Sequence, residues 1–171
     1  QKFNLDFTAT NFLKAPEPLI QKKFSRIMSL KDGLVKMSKS DPSDLSRINL
    51  TDDKDLISNK IKKAKTDNSP MPSDNNNLEK RPEVENLLGI YSSLNNQNLE
   101  KSIEEFSGKN FSEFKQKLSE VVVEKIFPIS LETNKLLKDK SHIDSILSKG
   151  AEKADEISSK KIKELKEIIG F

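Results

Sequence analysis

Lys36-Met37-Ser38-Lys39-Ser40, preceded by Lys31-Asp32-Gly33-Leu34-Val35 and followed by Asp41-Pro42-Ser43-Asp44, is the stretch from which the rest of the chain is read. Two ammonium groups three residues apart, with hydroxyls between and after them, suit a mobile loop that closes on a polyphosphate. Lysine carries a compact positive charge on a flexible stem, which can follow phosphate oxygens as charge moves between them. Gly33 is expected to give the loop its freedom to hinge. As bare composition, five such residues also make an ordinary solvated turn, so the pentamer gains meaning only from its neighbours.

The composition bounds what those neighbours can be. A chain of 171 residues can bury one core with a smaller appended piece. Apolar and charged residues each make up 33%, which is polar for a globular domain but short of a disordered composition. Cysteine is absent, which removes disulfides and thiolate metal sites. No apolar run reaches membrane length and no charged-then-apolar leader opens the chain, so a reducing, cytoplasmic setting without a membrane partner is expected. The net charge of +3 is uneven: residues 1–66 hold 14 Lys/Arg against 8 Asp/Glu, and residues 67–171 hold 16 against 19. A positive first part suits phosphate chemistry. The mildly acidic remainder argues against a broad nucleic-acid footprint, so DNA is not an expected partner and any RNA contact is local.

Along the chain, Phe3, Leu5 and Phe7 alternate with polar residues and predict a short strand before the Ala15-Pro16-Glu17-Pro18 turn. Residues 24–30 alternate again and predict a strand whose carboxyl end delivers the chain into the lysine loop, where open α/β sheets bind ligands. Asp41-Pro42 starts a short helix. Ile48 and Leu50 then alternate in an extended piece, and Thr51-Asp52-Asp53 caps a longer helix with Lys62, Lys63 and Lys65 towards its end, where cations complement the helix dipole. Residues 67–81, rich in Asn, Ser and Pro, read as a long, exposed and mobile loop.

Beyond Pro82 the pattern is helical. Val84, Leu87, Leu88, Tyr91 and Leu94 mark one helix, and Leu99, Ile103 and Phe106 a second that stops at Gly108. A third, longer one runs from Phe111 to Ile126, with Pro128 either kinking it or starting another. Ser141 is expected to cap a short helix ending at Gly150, with a last helix from Ala151 to Ile169 whose small first residues allow close packing. Tyr91, Phe106 and Phe111 sit in apolar patterns and read as core. His142, the only histidine, has no partner Cys or second His and reads as a surface residue.

The pentamer matches, letter for letter, the signature loop of class I aminoacyl-tRNA synthetases. Arg26-Ile27-Met28-Ser29-Leu30, Ser40-Asp41-Pro42-Ser43-Asp44, Ile61-Lys62-Lys63-Ala64-Lys65-Thr66-Asp67, Arg81-Pro82-Glu83-Val84-Glu85-Asn86-Leu87-Leu88 and Gly150-Ala151-Glu152-Lys153-Ala154 resemble the bacterial-type tryptophanyl-tRNA synthetases. The resemblance runs through almost the whole chain and covers the second half of such an enzyme. The amino-terminal Rossmann segment, with its His/Gly signature and the tryptophan pocket, has no counterpart in these residues.

The fold this implies is mainly α: the C-terminal end of a Rossmann-type α/β catalytic domain over residues 1–66, a linker over 67–81, and an antiparallel helical bundle over 82–171 that binds the tRNA anticodon. The linker departs from the shorter connection of many bacterial relatives, so no tRNA contact carries over to it. The resemblance further implies a tryptophan–tRNA ligase reaction, in which ATP with Mg2+ activates tryptophan to an adenylate before transfer to tRNA(Trp). Lys36 and Lys39 are the implied catalytic residues, stabilising the leaving pyrophosphate by charge alone. Ile27 through its backbone, together with Lys36, Met37, Ser38, Lys39 and Ser40, is implied to bind ATP, with no protein metal ligand, nucleophile or proton shuttle. A homodimer is implied for the full-length enzyme, and this chain by itself is expected to be inactive in amino-acid activation. Another class I synthetase, tyrosyl above all, or a non-enzymatic helical RNA-binding module are the alternative readings.

Overall fold

A computed structural model describes residues 12–19 and 26–171. The strand expected at Phe3, Leu5 and Phe7, and the first residues of the one expected over 24–30, lie outside the described residues. The chain divides into two compact units, residues 21–135 and residues 1–20 with 136–171.

In the larger unit the helices begin where local chemistry says they should. Helix α1 (Lys54–Lys62) starts at Asp53, whose carboxylate accepts the Leu56 amide at 2.8 Å and satisfies one of the free N–H groups of the first turn. Helix α2 (Pro82–Leu94) has proline at its first position, where no N–H is needed. Helix α3 (Leu99–Phe106) is capped by Asn98 and followed by Gly108 at φ 70°, a left-handed conformation that glycine adopts without a Cβ penalty. Helix α4 (Phe111–Lys138) continues through Pro128, so no new helix starts there.

Ile57 and Ile61 of α1, Val84, Leu87 and Leu88 of α2, Ile103 of α3 and Leu118 of α4 are all buried in one core. Its centre is an edge-to-face trio, with Tyr91–Phe106 centroids 5.0 Å apart and Phe106–Phe114 centroids 4.9 Å apart. Tyr91 donates its hydroxyl to Glu105 at 2.8 Å, and burial followed by that carboxylate pushes its ionisation up to about 12. Phe111 is only half-buried and lies 5.9 Å from the Arg81 guanidinium. Ser92 and Ser102, both fully buried, share a 2.7 Å hydrogen bond that joins α2 to α3.

The sequence reading needs three corrections here. Among the described residues the expected strand over 24–30 reduces to a single antiparallel bridge, Met28 to Lys36, because the chain turns back at once and no further strand extends the ladder. The short helix expected to start at Asp41-Pro42 is a 3-10 helix over Asp44–Ser46, with Ser43 and not Asp41 in the position before it. Residues 67–81 are not a free loop: Met71 and Leu78 are buried, and Met71 exchanges backbone hydrogen bonds with Gly108 and Lys109 at 3.3 and 3.0 Å. Arg81 forks onto the Asp67 carboxylate at 2.7 and 2.8 Å and reaches the Pro70 carbonyl at 2.9 Å. Two isolated apolar residues in a polar run make no period, so nothing in the sequence announces these anchors.

The smaller unit holds helix α5 (Lys140–Ile169), one continuous helix where two were expected. Glycine in a helix interior costs only about 1 kcal/mol relative to alanine, too little for Gly150 to break a segment whose neighbours favour helix on both sides. The cap is Asp139, which accepts the His142 amide at 3.0 Å, and not Ser141; the helix ends at Gly170 with φ 86°. None of its side chains is buried, so the small residues near Ala151 meet no neighbour among the described residues. His142 is exposed, as expected. Lys161 stands over the Phe12 ring at 3.7 Å.

The Asp67–Arg81 fork yields a pH prediction. The guanidinium holds the Asp67 carboxyl below its usual range, so its contribution is complete above the unfolded value of about 3.9 and is lost as pH falls through the folded value. Protection of the amides in residues 67–81, taken relative to the unstructured chain at the same pH, is therefore expected to fall on acidification below about pH 4, and Arg81→Ala to show the lower protection already at neutral pH. Unchanged protection in Arg81→Ala would show that Met71 and Leu78 hold the segment without the ion pair.

Candidate functional site

The lysine loop grows out of a small hairpin. Ser29 donates its amide to the Val35 carbonyl at 2.8 Å, and Met37 donates to Ile27 at 3.0 Å, on either side of the Met28–Lys36 bridge. In this pairing the N–H and C=O of Met28 point away from the partner strand. Asn86 of α2 takes both: its Oδ1 accepts the Met28 amide at 2.9 Å and its Nδ2 donates to the Met28 carbonyl at 2.9 Å. Leu30 is held likewise, donating to the Ser46 carbonyl at 2.9 Å and accepting the Lys65 amide at 2.7 Å.

The turn of the hairpin sits on the first turn of α2. Gly33 is buried there, and a Cβ at this position would stand 2.8 Å from the Pro82 carbonyl oxygen, closer than real contacts allow. Gly33 therefore serves close backbone approach, which corrects the hinge role expected from the sequence. Beside it the Lys65 ammonium pairs with Glu83 at 2.7 Å and holds that carboxyl below its usual range.

Past the loop, the chain is fastened by charge. The fully buried Lys60 ammonium contacts Asp52 at 2.6 Å and Asp44 at 2.7 Å. Its hydrogen bond, then that of Asn49, keeps the Asp44 carboxyl below its usual range. Arg47 donates to the Asp41 and Ser43 carbonyls at 2.9 and 3.3 Å and lies 3.3 Å from Asp44. Lys36 and Lys39 are exposed, and among the described residues neither they nor Arg26 has a carboxylate partner.

These pieces enclose an open cleft of about 480 Å³, lined by Arg26, Ile27, Lys36, Met37, Ser38, Lys39, Arg47, Ile48, Asn49 and Leu50. The structure thus brings together five of the six residues singled out from the sequence. Ser40 stands outside the lining, with its hydroxyl 2.9 Å from that of Ser38. Arg26, Arg47, Ile48, Asn49 and Leu50 were not predicted as site residues. The alternation through Ile48 and Leu50 was the one signal that an extended strip runs there. Met37 is half-buried and packs on the core, so the loop is anchored at its second residue while the lysines on either side stay in solvent. A lining that combines Arg26, Lys36, Lys39 and Arg47 with Ile27, Met37, Ile48 and Leu50 suits a ligand with an anionic part and an apolar part, and no carboxylate lines the cleft.

Gly33→Ala is expected to destabilise the folded chain by about 1 to 3 kcal/mol, the range for forcing extra atoms into a packed contact, because the obstructing atoms are backbone and cannot turn aside. Thermal unfolding measures this. A melting temperature equal to wild type would show that the hairpin turn is not seated on α2.

The family model described as tRNA synthetases class I (W and Y) matches residues 1–127. Two proteins described as tryptophan–tRNA ligase, from Agrobacterium fabrum and Caulobacter vibrioides, are each 47% identical over all of this chain, which covers 53% and 50% of their lengths. A third, from Rickettsia felis, is 51% identical over 93% of the chain and is 48% covered. The chain therefore spans about half the length of the curated relatives it matches. The crystal structure of tryptophanyl-tRNA synthetase from Mycoplasma pneumoniae superposes on the whole chain and on 50% of its own, with a TM-score of 0.82 at 24% identity. That from Campylobacter jejuni, complexed with ADP and tryptophane, does so over 99% of this chain and 50% of its own, with a TM-score of 0.66 at 22% identity. The two structures support the helical fold. With the family model matching most of its length and the signature loop lining the cleft, this chain belongs to the class I tRNA synthetases of the tryptophan and tyrosine (W and Y) family.

Proposed function

We propose that this chain supplies the ATP-phosphate loop and the tRNA-reading helices of a cytoplasmic, homodimeric tryptophan–tRNA ligase, which activates tryptophan with ATP and transfers it to tRNA(Trp). The observation that carries the reading is the cleft itself: Lys36, Lys39 and Arg26 line it without a carboxylate partner among the described residues, together with Ile27, Met37, Ile48 and Leu50. The relatives near 47% identity, described as tryptophan–tRNA ligases, favour tryptophan over tyrosine as the amino acid.

In this reading the two lysine ammonium groups meet the β- and γ-phosphates of ATP, and Ile27, through its backbone, lies against the adenine. Met37 and Ser38 line the nucleotide, and Ser40 stands behind Ser38. As the α-phosphorus is attacked by the tryptophan carboxylate, negative charge builds on the departing pyrophosphate. Preorganised cations on a loop fastened at both ends stabilise it there without covalent chemistry. Because the side chains lining the cleft are cationic or neutral, Mg2+ would be carried on the phosphate oxygens of the substrate and not by a protein carboxylate. ATP contacts fall within residues 24–40 and tRNA contacts within residues 82–171. Tyr91 and Phe106 are buried in the core and unavailable for stacking on bases.

Tryptophan-dependent exchange of pyrophosphate into ATP, by the enzyme that carries this sequence, tests the reading; exchange that depends on tyrosine would reject it. Removing one preorganised donor of this kind typically costs about 3 to 4 kcal/mol, on the order of a hundredfold to a thousandfold in turnover. Lys39→Ala is expected to lower turnover by that amount with tryptophan affinity unchanged, and Lys36→Ala to behave alike, with the double variant less than additive because both act on one ligand. A raised Michaelis constant for ATP at intact turnover would make the lysines uniform binders and overturn the mechanism.

A further inference from the structure

We infer that Asn86 is a positioning residue for the lysine loop, its side-chain amide standing in for a neighbouring strand so that Lys36 and Lys39 face the cleft. The inference rests on the function proposed above for those lysines. Asn86 lies in α2 on the same buried side as Leu87 and is only 8% exposed, where an apolar residue would be the ordinary choice. Asparagine is also a poor helix former, because its side chain competes for backbone partners. Its presence there matches a single geometric demand. Met28 offers one N–H and one C=O on the open edge of the hairpin, and a primary amide carries an acceptor and a donor side by side on one planar group. Both hydrogen bonds form, each at 2.9 Å.

Met28 is the residue directly across the bridge from Lys36. A hairpin with one bridge has no ladder of its own to fix its register. The same helix also seats the turn, through Pro82 and Glu83 against Gly33, so α2 grips the hairpin near its tip and at its bridge. Loss of the amide frees the bridge end. The lysines then wander over distances on the order of an ångström, enough to matter for groups that must meet a transition state.

Two variants and two readouts test this. In Asn86→Ala, which loses both hydrogen bonds to Met28, amide exchange at residues 27–37 is expected to quicken by on the order of tenfold or more, while α1 and α3 amides stay as in wild type. Turnover in pyrophosphate exchange is expected to fall about tenfold to a hundredfold with the Michaelis constant for tryptophan unchanged. Asn86→Asp covers the case in which the alanine variant does not fold. An ionised carboxylate can accept from the Met28 amide but opposes its carbonyl, whereas the protonated acid both accepts and donates as the amide does. Its turnover relative to wild type is therefore expected to rise as pH is lowered from about 8 to about 5, since burial raises a carboxyl's ionisation into that range. The charged groups of the hairpin and of the first turns of α2, namely Arg26, Lys31, Asp32, Lys36, Glu85 and Glu83 with its partner Lys65, are common to both proteins, so the ratio to wild type isolates the group at position 86. A ratio that stays flat with pH, or unchanged protection at residues 27–37 in both variants, overturns the inference. If wild type shows no tryptophan-dependent exchange, the proposed function fails, and amide exchange alone still decides the role of Asn86.

Discussion

A strand edge left open in a protein interior exposes backbone groups that must find partners, and that constraint organises the larger unit. The hairpin over residues 27–37 has one bridge and could not stand by itself. Its outer edge is closed by three different segments: the Asn86 amide on Met28, the Ser46 carbonyl on the Leu30 amide, and the Lys65 amide on the Leu30 carbonyl. Each segment comes from another part of the chain, so closing the edge also fixes α2, the 3-10 turn and the end of α1 around the hairpin. The lysine loop inherits a rigid base and keeps an exposed tip.

Charge around that base is settled locally. Lys60 loses its hydration completely, a large cost for an ammonium, and two carboxylates at hydrogen-bonding distance offset it. Glu83 is occupied by Lys65 and Asp67 by Arg81. Arg47 is paired with Asp44, but Arg26, Lys36 and Lys39 line the cleft without a carboxylate partner among the described residues, so an incoming anion meets three cations that need not first release one. Preorganisation of this kind is where electrostatic sites gain most of their strength.

Much of the architecture was legible because it rests on neighbours in sequence. The cap at Asp53, proline opening α2 and glycine after α3 are short-range events, and the helices they bound contain the apolar spacings read from the chain. The Lys36–Lys39 spacing was legible for the same reason, since the chemistry is contained in five residues. Gly150 misled because a glycine is a weak interruption, decided by the helix on either side of it. Met71 and Leu78 were invisible because burial of a single side chain leaves no period.

The sequence by itself determined the helical character, the starts of α1 and α2 and the loop that marks the family, since each follows from propensity, capping or local charge within a few residues. Only the tertiary structure decided that Gly33 is a contact and not a hinge, that residues 67–81 are pinned, and that Arg26, Arg47 and Asn49 share a cleft with the lysines. It alone joined Asn86 to Met28, 58 residues away. The physical reason is that backbone partners, ion pairs and close approaches depend on distance in space, which hydrophobic period and local propensity do not encode.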